Sequence, residues 1–145
     1  MRYLILLLLA TASFANVSAQ KTKMITVNFK YQFIHEGEGK TINTRLKVYV
    51  DGKVKAVSVE KLEAEQNHVT IEIPTGQHKI RAVIESEFEN VWEEHTIINE
   101  YTIDCVYETD ENFIKNTRVD LIFDLEKGTI IKKVDSQSGP FVNPF

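Results

Sequence analysis

The feature that most constrains this chain is a run of strict alternation near its start, where Ile25, Val27, Phe29, Tyr31 and Phe33 interleave with Thr26, Asn28, Lys30 and Gln32. Successive side chains of an extended strand point to opposite faces, so the run specifies one buried face and one wet face. The same period returns in Leu46, Val48 and Val50, in Val69, Ile71 and Ile73, in Ile80, Ala82 and Ile84, and in Val119, Leu121, Phe123 and Leu125. Turn chemistry separates these runs. Asp51-Gly52 suits a two-residue hairpin, and Pro74 ends a strand because it cannot donate to a ladder. Thr75-Gly76 turns the chain, and Glu126-Lys127-Gly128 closes a hairpin onto Ile130 to Val134.

Two further strands are expected, from Val91 to Ile98 around Trp92 and from Tyr101 to Tyr107, with a turn over Thr109-Asp110-Glu111-Asn112. Lys61 to Asn67 is rich in helix formers but too short to be stable alone, so it reads as a loop with at most one helical turn. Many short strands separated by turn signals imply an all-β fold, an antiparallel two-sheet sandwich of immunoglobulin or transthyretin type. An outer-membrane barrel ending at Phe145 is disfavoured, because Pro140 and Pro144 interrupt the last segment and no strand shows a lipid-facing band.

The N-terminus reads as a secretory signal: Arg2 precedes the apolar run Tyr3 to Ala10, and Val17-Ser18-Ala19 supplies the small residues of a cleavage site. The apolar run ends too early for a membrane span, so no transmembrane segment is expected after cleavage before Gln20. That divides the chain into a signal peptide (1–19), one sandwich domain (20–135) and a flexible tail (136–145) whose Ser-Gln-Ser-Gly-Pro composition suits a loop. Cys105 is the single cysteine, which excludes an intramolecular disulfide. Its place in the alternation Tyr101, Ile103, Cys105, Tyr107 implies a small buried apolar residue, and Trp92 is expected in the core as well.

From Leu46 the order is a strand, the turn Asp51-Gly52, and a strand ending in Ile73-Pro74-Thr75-Gly76-Gln77-His78. Over Leu46 to about Phe88 this resembles the PEGA-type domain, a small β-sandwich module of bacterial surface proteins with an Asp-Gly hairpin and a Pro-x-Gly-x-His corner. The resemblance implies an accessory or binding sandwich without an active site.

Formal charge is −4, and phosphate binding needs a basic footprint, so nucleic acid is not an expected partner. The charge is unevenly spread: Ala82 to Ile114 holds ten acids and no Lys or Arg, whereas Gln20 to Arg81 holds eleven basic residues against seven acids. Two accounts follow. Acidic strands can neutralise basic ones across a sheet, or Glu85, Glu87, Glu93, Glu94, Asp110 and Glu111 can gather as oxygen ligands for a hard cation. His35, His68, His78 and His95 lack the spacing of a helical metal pair, and no Gly-x-Ser-x-Gly or cysteine signature marks a nucleophile. No catalytic residue and no cofactor is expected.

These observations point to a non-catalytic sandwich, secreted or periplasmic at a bacterial cell envelope, acting as an accessory or binding module for an unknown protein or glycan. Two alternatives stand beside it: a cation-dependent adhesion module using segment 82–114, and a small hydrolase or metalloenzyme assembled across strands. The exported protein should have an intact mass matching residues 20 to 145, or one ammonia less if Gln20 cyclises; a mass that includes residues 1 to 19 would contradict the cleavage.

Overall fold

The computed structural model describes residues 21–34 and 42–135, so the signal peptide expected over 1–19, its expected cleavage site and the tail expected over 136–145 lie outside the described residues. Ten strands follow in order: β1 (Met24–Ile34), β2 (Asn43–Val50), β3 (Lys53–Val57), β4 (Lys61–Leu62) and β5 (Asn67–Pro74), then β6 (Gly76–Phe88), β7 (Val91–Glu94), β8 (Val106–Phe113), β9 (Thr117–Asp124) and β10 (Gly128–Asp135). They form two sheets, a four-stranded one in the order β10-β9-β1-β5 and a six-stranded one built around β2 and β6. The inner faces meet in one core of Val27, Phe29, Tyr31, Leu46, Val48, Ile73, Ile80, Ile84, Leu121, Phe123 and their neighbours. The all-β two-sheet expectation therefore holds.

Four details differ from the sequence reading. β1 and β9 pair parallel, so the four-stranded sheet is mixed rather than antiparallel. A period of two reports which face is buried and carries no information on strand direction. Thr109 to Asn112 lies inside β8, paired with Gln77 to Ile80, because β6 offers a long free edge that satisfies those backbone groups better than a turn would. Lys61 to Gln66 makes a two-residue bridge to β2 and a turn, with no helical residue. The strand expected to run from Val91 to Ile98 ends at Glu94, and a 3-10 turn at Ile97–Asn99 follows.

β6 organises the six-stranded sheet. One edge pairs with β2, and the other pairs with β8 over Gly76 to Val83 and with β7 over Glu85 to Phe88. At the gap, His95 N–H donates to Ile84 O at 2.8 Å, Ile84 N–H to Cys105 O at 3.0 Å and Cys105 N–H to His95 O at 2.9 Å. β7 and β8 are thus one interrupted strand, with residues 96–104 looped out between two pinched ends. Cys105 is buried at this point, as its alternation implies, and burial pushes its thiol well above the ordinary range. Inside the core, Tyr31 Oη and Thr44 Oγ1 share a hydrogen bond at 2.9 Å, while Asn67 Nδ2 donates to Tyr31 Oη at 3.2 Å and to Val59 O at 2.7 Å. Desolvation raises the phenol pKa of Tyr31.

The Asp51-Gly52 hairpin and the Pro74–His78 corner meet. Asp51 (φ 52°) and Gly52 (φ 80°) make the left-handed turn that a two-residue hairpin demands. Asp51 Oδ1 accepts from Lys79 N–H at 2.9 Å, and Asp51 Oδ2 lies 2.8 Å from His78 Nδ1. The other ring nitrogen, Nε2, lies 2.8 Å from Pro74 O. Both partners accept, so His78 satisfies both by carrying two protons. Accordingly its pKa is raised, first by the bond to Asp51, and that of Asp51 is lowered, first by His78. A raised imidazole pKa contributes stability that is fully present below about pH 6.5 and is lost as pH climbs through the folded value. The lowered carboxylate contributes above about pH 4 and is lost on acidification. Asn tolerates the left-handed turn. Asp51→Asn should therefore lower the urea midpoint most near pH 5 and least above pH 8; a midpoint difference independent of pH would show that the ion pair contributes nothing.

Candidate functional site

The outer face of the six-stranded sheet carries the densest set of ordered polar and aromatic side chains in the described residues. Alternation places Arg45, Lys47 and Tyr49 of β2, Arg81, Val83, Glu85 and Glu87 of β6, Trp92 and Glu94 of β7, and Glu108 of β8 on this face. Arg45 Nε reaches Glu85 Oε2 at 2.6 Å, and Lys47 Nζ reaches Glu85 Oε1 at 3.0 Å. Arg81 makes a two-pronged pair with Glu94 at 2.7 and 2.6 Å and meets Glu108 at 3.2 Å. The Arg45 guanidinium sits 4.1 Å from the Trp92 ring centroid, and Arg81 and Lys47 both flank Tyr49, at 5.7 and 5.6 Å. Under this lattice Val83 is 0% exposed, because the long Lys, Arg and Tyr stems cover it.

Pairing moves the pKa values as expected. The guanidinium of Arg81 holds the Glu94 carboxyl below its usual range, and Glu94 raises Arg81 in return. Lys47 is raised, mainly by its bond to Glu85.

The six carboxylates considered as cation ligands are not gathered. Glu85 is bound by two cations and Glu94 by Arg81. Glu87 accepts from Asn43 at 3.0 Å, Glu93 from Tyr101 at 2.8 Å, Asp110 from Gln77 at 2.7 Å and Glu111 from Thr109 at 3.0 Å. Among the described residues no group of three or more His, Cys, Asp or Glu side chains is placed to hold a metal ion. The geometry at Glu85 and Glu94 is that of cross-strand neutralisation, the acidic run meeting cations from the basic part of the chain. Trp92 departs from its expected core position: its register opposite Glu87 turns it to the outer face, where it is only half-buried.

One constellation was not legible in the sequence. Ser86 Oγ and His95 Nδ1 lie 3.0 Å apart, an arrangement of the hydroxyl-and-base kind. Ser86 is 1% and His95 5% exposed, with the imidazole stacked on Tyr101 at 4.0 Å between ring centroids and Phe33 5.4 Å away. A nucleophile must reach its substrate, and this one is sealed inside the sheet-to-loop junction. Burial, then the bond to Glu93, pushes the Tyr101 phenol up to about 12. Of the other histidines, His68 is exposed, His78 is held at the corner, and His35 lies outside the described residues.

No protein-family model matches the chain, and no curated protein matches it. Solved structures give loose overlaps. A chain of a disulfide-locked mutant of intermedilysin with human CD59 matches at TM-score 0.38 and 9% identity, over 80% of this chain and 25% of that one. A structure described as a trapped toxin matches at 0.39 and 10%, over 79% and 24%. A candidate cell adhesion protein from Bacteroides ovatus matches at 0.33 and 12%, over 78% of this chain and 44% of that one. The chain thus spans about a quarter of the first two chains and under half of the third. Overlap this loose transfers nothing to the present site.

Glu85 is nearly buried, whereas the side chain of Glu108 is 57% exposed. Glu85→Ala leaves two partly covered cations without their shared anion and should cost about 2 kcal/mol in urea unfolding; Glu108→Ala should cost less than about 0.5 kcal/mol. Equal costs would show that the lattice is only a surface decoration.

Proposed function

We propose that this chain is an exported, non-catalytic sandwich that binds a protein or glycan partner at a bacterial cell envelope, through the outer face of its six-stranded sheet. The observation that carries this reading is the pair of half-buried rings, Trp92 and Tyr49, braced by Arg45, Lys47 and Arg81 on a sheet whose charges are already mutually paired. Side chains held this way lose little freedom when a partner docks, and aromatic and Arg groups dominate binding energy where they are pre-positioned. The corner that joins Asp51 to His78 is consistent with the PEGA-type resemblance, which implies the same accessory role. The sealed Ser86–His95 pair supports binding over catalysis.

Trp92 is the chain's single tryptophan and sits on the face in question, so its emission reports occupancy directly. Titration with solubilised envelope fragments should shift that emission and saturate. Tyr49→Ala should weaken the titration by about tenfold, the scale of a truncated anchor. Saturable binding with unchanged Trp92 emission and unaltered affinity in Tyr49→Ala would move the binding face elsewhere.

A further inference from the structure

β10 is an edge of the four-stranded sheet and pairs only with β9 among the described residues. An edge strand presents N–H and C=O groups without a ladder partner, and such edges are usually blunted by charge or brevity. β10 is eight residues long and mixes lysines with exposed apolar side chains, Ile130 36% and Val134 52% exposed on the outer face with Lys132, and Ile131 45% exposed on the other.

Its outer face is also electrostatically unbalanced. Register aligns Lys30, Asp120 and Lys132 across β1, β9 and β10. Asp120 is taken by Arg118 in a two-pronged pair, at 2.7 Å to Nε and 2.5 Å to Nη2. Lys30 and Lys132 have no ion-pair partner among the described residues, and they flank a shallow depression of about 130 Å³ lined also by Gln32, Asp120 and Ile122. Ile130 and Val134 stand two residues to either side of Lys132 on the same face.

The geometry points to β10 as a docking edge for an extended, acidic segment of a partner protein, which adds to the four-stranded sheet as a further strand. An acidic side chain of that segment meets Lys132 at the rim of the depression, and apolar side chains two residues before and after it rest on Ile130 and Val134. Backbone pairing supplies affinity and the alternate side chains supply choice, the usual division of labour in strand addition. A second copy of β10 is a poorer occupant because it brings its own lysine to the edge. An anionic glycan meets the lysines but leaves the backbone groups and the apolar side chains unmatched.

The probe is an acetylated, amidated heptapeptide, Thr-Val-Thr-Glu-Thr-Val-Thr, titrated into the 15N-labelled mature protein. Amide shifts should move along Gly128 to Asp135 and at Lys30, with slowed hydrogen exchange in β10. A Lys-centred peptide should bind at least about fivefold more weakly, the scale of one cross-strand charge pair, and Lys132→Glu should reverse the preference. Alternate N-methylation of the peptide should abolish binding. The inference is overturned by shifts that map away from β10, by no shifts at millimolar peptide, or by N-methylated peptide or a sulfated glycan binding as well as the Glu peptide. A concentration-dependent dimer without peptide, abolished by Ile131→Lys, would also overturn it and make a second copy the occupant.

Discussion

Everything in this protein is arranged around a strand that is buried on both faces. The inward side chains of β6, Ile80, Ala82 and Ile84, pack against the four-stranded sheet, as any inner face of a sandwich must. Its outward side is covered too, with Val83 and Glu85 buried under cations from β2. A carboxylate out of water needs its charge and lone pairs met, so Arg45 and Lys47 are as necessary to β6 as the apolar side chains beneath it. The carpet of long side chains turns a wet face into a second, thinner layer of packing, and that layer holds Trp92 and Tyr49 in place.

Two local devices let the chain reach this arrangement. Thr75 alone links β5 in one sheet to β6 in the other, and Gly76 (φ 141°) takes a backbone angle that a side chain would resist. Thr75 N–H donates to Lys23 O at 2.8 Å, tying the corner to the start of β1. The second device is the pinch at Ile84, where His95 and Cys105 close the ladder and carry residues 96–104 as an excursion. The excursion returns to cover the pinch with Tyr101, whose ring stacks on His95 and thereby buries the polar pair beneath it. A polar pair placed there rigidifies the junction, since each member satisfies the other away from water.

The uneven charge along the chain acquires its meaning from the same sheet. Antiparallel pairing of β2 with β6 brings residues forty apart in sequence into register, so basic Arg45 faces acidic Glu85. Glu85 and Glu94 are neutralised within this sheet, whereas on the opposite sheet Lys30 and Lys132 are among the described residues without an ion-pair partner. A binding role for the outer face of the six-stranded sheet would rest on side chains already fixed before a partner arrives, which lowers the entropy cost of association.

By itself the sequence determined the fold class, the buried identity of most of the alternating residues and the places of the turns at Asp51-Gly52, Pro74-Thr75-Gly76 and Glu126-Lys127-Gly128. These depend on side-chain period and on the backbone needs of Asp51-Gly52 and Pro74, which are local properties. The burial of Cys105 was legible for the same reason, although it sits at a pinch and not in the continuous strand its alternation suggested. Strand direction and partner choice were not legible, because pairing depends on what lies alongside in space; hence the parallel β1–β9 pair and the absorption of Thr109 to Asn112 into β8. The candidate site divides the same way. Glu85 and Glu87 share a face by period alone, but which cation neutralises Glu85, which way Trp92 turns and how Ser86 meets His95 were settled only when β6 acquired its neighbours, since each contact joins residues that sequence spacing leaves unrelated.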